Sequence, residues 1–317
     1  MEASPELSAD SLIHRSKPAP RGGWRRALFT ATRGHVNPGD SKIELRRAEL
    51  EGTVRRAAIP DGHQAIVVLG AQPGVGVTTT TLGLGSVMAA QRGDQVIAVD
   101  ANVGRAPLSD RLLLRSRAEY DLDDLIVASD SVERYSDFSR FVARSRSGLD
   151  VLASRVKVPD RALSPVEHRR ISEVLERYYS LRIVDGGSVV DQPALSVLLE
   201  RATRLVLVAH PSREGGNRAA TALDEITDLD YPGLASTALI ALARTKEQSG
   251  VAELERQLST RCHRALRIPE DTRLAHRKVV DPEQLRAPSM IGHLELVAEI
   301  FSGFEHGGRR HKGASIG

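Results

Sequence analysis

From residue 62 onward, short runs of apolar and β-branched residues alternate with segments long enough to form helices. This alternation is typical of β–α–β units, in which helices join parallel strands. Runs such as AIVVLG and RLVLVAH are apolar almost throughout, as expected for strands covered on both faces. We therefore predict a doubly wound, mostly parallel α/β sheet. The predicted strands are Ala65–Gly70, Gln95–Asp100, Leu149–Ala153, Leu181–Asp185, Arg204–Ala209, Thr237–Ala243 and Ala265–Ile268.

The composition is that of an ordinary folded protein. The 317 residues include 44 Lys and Arg against 41 Asp and Glu, and 41% are hydrophobic, which excludes a disordered polyelectrolyte. Aromatic residues make up 3%, so a base-stacking platform for nucleic acid is disfavoured. Cys262 is the only cysteine, which excludes an internal disulfide and fits a reducing, cytoplasmic setting. No apolar window approaches the roughly 20 residues that a spanning helix needs, so we expect no transmembrane segment.

Local sequence character divides the chain into four segments. Residues 1–22 carry prolines, serines and little apolar periodicity, so we expect a flexible arm without the pattern of a secretory signal. Residues 23–61 are predicted to form a basic, amphipathic helical extension. Residues 62–305 form the predicted α/β domain, and residues 306–317 a basic, flexible tail.

The N-terminal extension contains two predicted helices. A basic run over residues 11–35 contains an apolar stripe at helical spacing, which is typical either of a helix packed on its own domain or of one that docks on a protein or membrane surface. A second helix is predicted from Asp40 or Ser41, either of which is a good cap, to about Ala58. The stripe of the first helix is Trp24, Ala27, Leu28 and Ala31, and that of the second is Ile43, Leu50, Val54 and Ala57.

A glycine-rich turn follows the first predicted strand and opens a helix, which is the setting of a phosphate-binding loop. Gly74 and Gly76 allow backbone N–H groups to face a phosphate, and Thr78 stands where a loop hydroxyl binds Mg²⁺. Val77, however, occupies the position of the lysine that reaches the β- and γ-phosphates. The pattern therefore predicts a phosphate loop without its usual cation, or a glycine turn retained for packing alone.

Acidic residues follow two further strands. VIAVDAN ends the second predicted strand with Asp100, and LRIVDGG ends the fourth with Asp185. With these motifs in order, the chain resembles the MinD/ParA-like P-loop ATPases, whose deviant Walker A motif K-G-G-x-G-K-T-T aligns with residues 72–79. GLDVLAS at 148–154 and IPED at 268–271 extend the resemblance, which covers residues 62–304.

The resemblance implies a role for each matching residue. Gly74, Val75, Gly76, Val77, Thr78 and Thr79 are expected to hold the phosphates of ATP, and Pro269, Glu270 and Asp271 to face the adenine. Thr78 and, through a water, Asp185 are the expected Mg²⁺ ligands, and Asp100 the expected catalytic residue that orients the attacking water. Members of the family form a homodimer around ATP.

Two departures from the motif bear on activity. Gln72 and Val77 replace both lysines of the motif, and Pro73 has no N–H group to offer a phosphate. Losing one charge-assisted hydrogen bond weakens ATP binding by about 10- to 150-fold, and losing a positioned donor slows transfer by about 10²–10³. Two hypotheses follow: a nucleotide switch with weak ATP binding and impaired hydrolysis, or a pseudo-ATPase that acts only as an interaction protein.

The segments GWRRALFTATRG and IPEDTRLAHRKVVDPEQLRAPS resemble one branch in particular, the EspI-type proteins of actinobacterial type VII (ESX) secretion. We expect a cytoplasmic protein that is peripheral at the cytoplasmic face of the membrane, with a secretion-machinery or membrane-surface partner for residues 11–35.

A ParA-like DNA-partitioning ATPase is a third hypothesis, but acidic residues interrupt the basic cluster, so we expect no DNA binding. His263, His276 and His293 lack metal-ligand spacing and are expected at the surface. The basic cluster comprises Arg261, Arg264, Arg267, Arg273, Arg277 and Lys278.

Overall fold

A computed structural model describes residues 23–33, 35–36, 40–102, 108–154, 163–189, 194–246, 250–274 and 279–307. The structure divides into two compact units between Glu49 and Leu50. The expected arm, most of the expected tail, and Arg277 and Lys278 of the basic cluster lie outside the described residues. The last helix continues to Gly307, so it includes the first residues of the segment expected as a tail.

The first unit contains helix α1 (Gly23–Ala31) and the start of helix α2 (Lys42–Arg56). In α1, Leu28 is half-buried, whereas the side chain of Trp24 lies outside the described residues. Ser41 caps α2 as predicted: its hydroxyl accepts the amide of Glu44 at 3.2 Å, and its own amide donates to the Glu44 carboxylate at 2.6 Å. The Ile43 side chain is 48% exposed, so it does not lie on the buried face expected for it.

The second unit begins inside α2 because the C-terminal half of that helix is buried in the main core. Leu50 and Val54 are buried there. Arg92 donates to the carbonyl oxygens of Val54 and Ala57 at 2.8 and 2.6 Å, which satisfies acceptors at the end of the helix. The compact unit that contains the sheet therefore begins at Leu50.

Nine strands of the described residues form one sheet in the order β3-β4-β5-β2-β6-β1-β7-β8-β9. The seven strands that follow one another from β5 to the β9 edge in this order are parallel. At the other edge, β4 is antiparallel to β5, and β3 is antiparallel to β4. The strands are β1 (Gln64–Gly70), β2 (Val96–Asp100), β3 (Leu114–Ser116), β4 (Ala143–Ser145), β5 (Asp150–Leu152), β6 (Leu181–Ser188), β7 (Arg204–Ala209), β8 (Leu239–Thr245) and β9 (Arg264–Pro269).

Helices cover both faces of the sheet, as the alternation predicts. Along β1, Ile66 and Val68 face a core shared with α3 and α11, whereas Val67 and Leu69 face a core shared with α7 and α8. A third core covers β2 and β5. The remaining helices are α3 (Val77–Gln91), α4 (Leu122–Ala128), α5 (Tyr135–Phe138), α6 (Pro165–Glu176), α7 (Leu195–Glu200), α8 (Arg213–Asp228), α9 (Pro232–Ser236), α10 (Val251–Leu258) and α11 (Ala287–Gly307).

All seven predicted strands are present, and the two short edge strands are the ones that the prediction missed. Strands β3 and β4 have three residues each, and their sequences, LRS and ARS, contain no apolar run of the kind that marks the predicted strands. Strand β6 continues past Asp185 to Ser188, and β8 continues past Ala243 to Thr245. Among the described residues, no helix is long and apolar enough to cross a membrane.

Candidate nucleotide site

A cleft of about 600 Å³ lies at the carboxyl ends of the parallel strands, where open α/β sheets bind ligands. It brings the glycine loop, both predicted acidic residues and the IPED segment together. Its lining consists of Gln72, Pro73, Gly74, Val75, Gly76, Val77, Thr78, Thr79, Thr80, Asp100, Asn102, Leu108, Arg111, Asp185, Gly187, Ser188, Ala243, Arg244, Ile268, Pro269, Glu270, Asp271, Leu274 and His293.

The loop between β1 and α3 has the backbone of a phosphate cradle. Gly74 and Gly76 have φ angles of 77° and 109°, in the left-handed region that favours glycine. Gly76 directly precedes α3, and the first N–H groups of a helix lack intrahelical acceptors. The loop therefore presents backbone donors and the positive end of a helix dipole to the cleft.

The position of the missing lysine has become part of the hydrophobic core. Val77 is buried and packs over Gly70, where an added Cβ would lie 2.8 Å from the Val77 Cγ2 atom. Val75 is also buried in this core. Gln72 and Pro73 line the cleft but carry no charge. The loop itself thus supplies backbone donors without a side-chain cation.

Asp100 and Asp185 lie side by side because β2 and β6 are adjacent parallel strands in which these two residues are partners. Both carboxylates are buried, with exposed fractions of 4% and 1%. Burial, and then the charge of Asp185, raises the pKa of Asp100 to about 8. Burial also raises the pKa of Asp185, while a hydrogen bond from Thr78 and the charge of Arg111 oppose that rise.

These residues fit a hydrated Mg²⁺ ion beside a phosphate loop. The Thr78 hydroxyl and the Asp185 carboxylate are hydrogen-bonded, so two oxygen ligands converge at the start of α3. Burial disfavours the ionised form of both carboxyl groups, so a cation beside them would offset a cost that the protein alone does not fully offset. Within the described ranges, no group of three His, Cys, Asp or Glu residues could hold a metal by itself.

The IPED segment lies at the opposite wall of the cleft. Pro269 ends β9, and Glu270 forms an ion pair with Lys246 at 3.3 Å. The carboxylate of Asp271 accepts the amides of Arg273 at 2.9 Å and Arg286 at 2.7 Å. Asp271 is therefore engaged in fixing this loop against the residue that precedes α11, while Pro269 and Glu270 also line the cleft.

His293 corrects one expectation. It was predicted at the surface, but its side chain is 1% exposed and lines the cleft from α11. Its Nδ1 atom lies 2.8 Å from the Ser289 carbonyl oxygen, and its ring packs against Gly83 of α3. Burial lowers the pKa of His293, so the ring is neutral. His263 is exposed as predicted, whereas His276 lies outside the described residues.

The structure adds two arginines that the sequence analysis did not identify. Arg111 and Arg244 line the cleft, and Arg244 Nη2 donates to the Gly74 carbonyl oxygen at 2.8 Å. Neither arginine stands in a recognisable motif, so only the fold shows that both line the cleft. Arg105, which follows the VIAVDAN motif in the sequence, lies outside the described residues.

Three arginines of the basic cluster considered for DNA contact form ion pairs with carboxylates. Arg261 pairs with Asp224, Arg264 with Glu299, and Arg267 with Glu255. A pairing carboxylate offsets the positive charge that phosphate binding requires.

Comparison with solved structures shows the fold, which is similar to that of MinD and ParA family proteins. A chain of the MinC:MinD cell division protein complex of Aquifex aeolicus matches with a TM-score of 0.57 and 18% identity, over 80% of this chain and 98% of that one. The McdA–ATP complex of Cyanothece matches with a TM-score of 0.57 and 19% identity, over 77% and 98%. A ParA family ATPase of Chlorobium tepidum TLS matches with a TM-score of 0.53 and 21% identity, over 77% and 97%.

The sequence is similar to a particular protein, the ESX-1 secretion-associated protein EspI of Mycobacterium tuberculosis. The two are 30% identical over 294 residues, which is 91% of this chain and 43% of EspI. The chain thus spans less than half the length of the curated relative that it matches. No protein-family model matches the chain.

Proposed function

We propose that the chain is a nucleotide-binding regulatory or scaffold component that acts with a type VII secretion machinery, binds Mg²⁺-ATP weakly and hydrolyses it poorly. The proposal rests on one observation. Thr78, Asp185 and Asp100 lie together at the carboxyl ends of β2 and β6, beside a loop in which Gly74 and Gly76 have left-handed backbone conformations. A glycine turn kept for packing alone does not require buried carboxylates beside it, since each costs free energy to bury.

Each residue has a stated role in this proposal. The amides of Gly76–Thr79 bind phosphate oxygens, and the Thr78 hydroxyl and Asp185 carboxylate hold Mg²⁺. When bound, Mg²⁺ supplies positive charge that offsets the charge of the phosphates. Asp100, ionised beside a bound cation, would accept a hydrogen bond from the attacking water. Pro269 and Glu270 contact the base.

Impaired hydrolysis follows from the buried Val77. Negative charge spreads over the phosphoryl oxygens in the transition state, and each absent positioned donor slows transfer by about 10²–10³. Binding depends less on that cation, because backbone amides and Mg²⁺ contribute in the ground state as well. We therefore expect a protein that binds ATP and hydrolyses it slowly or not at all, rather than a fast ATPase.

The secretion partner is inferred from EspI, whose name records association with ESX-1 secretion. We propose that ATP promotes a homodimer, and that residues 11–35 contact a secretion-machinery or membrane-surface protein at the cytoplasmic face of the membrane. The basic character of that run suits an acidic or anionic surface.

The test is calorimetric titration of Mg²⁺-ATP into the native chain and into Thr78→Ala, with Thr237→Ala, a threonine outside the cleft, as the matched control. We expect binding at millimolar ATP in the native chain and the control, and at least tenfold weaker binding in Thr78→Ala. ATP binding that does not require Mg²⁺ and is unchanged in Thr78→Ala contradicts the proposed site. No binding by the native chain refutes the proposed function.

A pseudo-ATPase is the second candidate, favoured by the burial of Val77 in the core. It predicts no ATP turnover above that of Asp100→Ala, even where binding is measurable. Turnover that Asp100→Ala abolishes excludes it. Duplex DNA binding at low salt that Arg264→Ala weakens would instead support the ParA-like DNA hypothesis.

A further inference from the structure

Arg244 has an unusual backbone for a residue inside a strand. Its φ angle is 57°, and the β8–β9 register shifts between Ala243 and Thr245, so Arg244 occupies a β-bulge. The other described non-glycine residues with positive φ, Arg33 and Asp230, lie just after helices, where this conformation is common. A left-handed arginine within a strand costs free energy, and such strain concentrates at functional sites.

The bulge directs the arginine toward the phosphate loop. β8 lies two strands from β1, yet Arg244 Nη2 reaches the carbonyl oxygen of Gly74 at 2.8 Å. Bulges characteristically re-aim a side chain beside an active site. The residue with the strained backbone is thus the same residue that crosses the cleft.

The guanidinium is available for a ligand. Its side chain is exposed and lines the cleft, and among the described residues no carboxylate forms an ion pair with it. One donor is engaged by a neutral carbonyl, so the charge and the other N–H donors remain. A planar guanidinium suits bidentate binding of phosphate oxygens.

We propose that Arg244 is the cation that binds the polyphosphate chain of a nucleoside triphosphate in this cleft, in place of the lysine that Val77 does not supply. The hydrogen bond to the Gly74 carbonyl oxygen fixes the conformation of the loop, and the remaining N–H groups of the Arg244 guanidinium donate to the phosphates. This inference rests on the proposed function, since it requires nucleotide in the cleft.

The experiment compares Mg²⁺-ATP affinity in the native chain, Arg244→Ala and Arg244→Lys. Arg218→Ala is the matched control, because Arg218 is an exposed arginine on α8 outside the cleft lining. We expect Arg244→Ala to weaken binding by about 10- to 150-fold, Arg244→Lys to fall between, and the control to match the native chain. Mg²⁺-tripolyphosphate is a second probe, and it should lose affinity in parallel if the phosphates are the group that Arg244 binds.

Two further variants separate binding from folding. Arg244→Gly relieves the left-handed backbone, so its melting temperature should equal or exceed the native value while its ATP affinity falls. In Val77→Lys the lysine supplies a second cation, so Arg244→Ala should cost less affinity in that background than in the native one.

The outcomes distinguish the two claims. A native chain and Arg244→Ala that bind ATP equally overturn the role of Arg244 and leave the nucleotide site standing. A native chain that does not bind, with binding appearing only in Val77→Lys, overturns both the proposed function and the role of Arg244. Loss of ATP but not tripolyphosphate affinity in Arg244→Ala assigns the arginine to the nucleoside and contradicts the proposal.

Discussion

At the scale of single residues, burial decides which groups carry charge. Val77 has joined the core while Arg244 reaches the same loop from β8. Burial raises the pKa of Asp100 and Asp185, and it lowers the pKa of His293 although the Ser289 carbonyl and the charge of Asp271 oppose that shift. Side-chain identity alone therefore does not assign a role in this cleft, since each role depends on what surrounds the group.

His168 gives a pH prediction at this scale. Burial lowers the pKa of this α6 residue to about 4 from 6.5, and its Nε2 atom has no hydrogen-bond partner. The unfolded chain therefore takes up a proton before the folded chain as the pH falls below 6.5. The free energy of unfolding should fall between pH 6.5 and 4, by at most about 1.4 kcal/mol per pH unit from this group.

The measurement is urea unfolding at a series of pH values for the native chain and His168→Leu. His293 contributes with the same sign, so the variant should show a shallower slope rather than none. His210→Gln, at an exposed imidazole, is the control and should follow the native profile. An unchanged slope in His168→Leu would contradict the assignment.

At the scale of elements, α11 and β9 pack in close backbone contact, and this contact supports the IPED loop. A Cβ atom at Gly292 would lie 2.7 Å from the Arg267 carbonyl oxygen and 3.2 Å from the Ile268 Cα atom. Both neighbours are backbone atoms, so the helix must move away from the strand to make room.

We therefore expect Gly292→Ala to lower the free energy of unfolding by about 1–3 kcal/mol, even though alanine is the better helix former. Gly233→Ala is the matched control, because an added Cβ there meets no atom within 4 Å. That variant should be neutral or slightly stabilising. Thermal or urea unfolding measures both, and equal stability of the two variants would show that α11 shifts without cost.

At the scale of the whole molecule, thermal stability and oligomeric state both test the proposed nucleotide site. A ligand that binds only the folded chain stabilises it by about 1.4 kcal/mol when its concentration is tenfold above the dissociation constant. We expect Mg²⁺-ATP to raise the melting temperature of the native chain and not that of Thr78→Ala. Sedimentation with and without Mg²⁺-ATP should show a shift from monomer to dimer. A thermal shift without a change in mass would support binding and exclude the ATP-dependent dimer.

Part of the fold and part of the site could be predicted from the sequence. The long apolar strands, the glycine loop and both acidic strand ends could be predicted, because each depends on residues close together in the chain. The edge strands β3 and β4 were missed, since three polar-rich residues give no periodic signal. The burial of His293 was missed because it depends on α11 packing against α3, elements separated by more than half the chain.

The sequence by itself determined the parallel sheet, the phosphate-loop backbone and the loss of both lysines, since glycine, β-branched residues and missing charges act locally. Only the tertiary structure decided that Asp100 and Asp185 are neighbours and that Arg244 reaches Gly74. These pairs are distant in the chain, and the order of strands in the sheet brings them together. Val77 stands where the motif has a lysine, and Arg244 lies in a bulge of a distant strand. Their relation can be recognised only in the folded chain, where both residues line the same cleft.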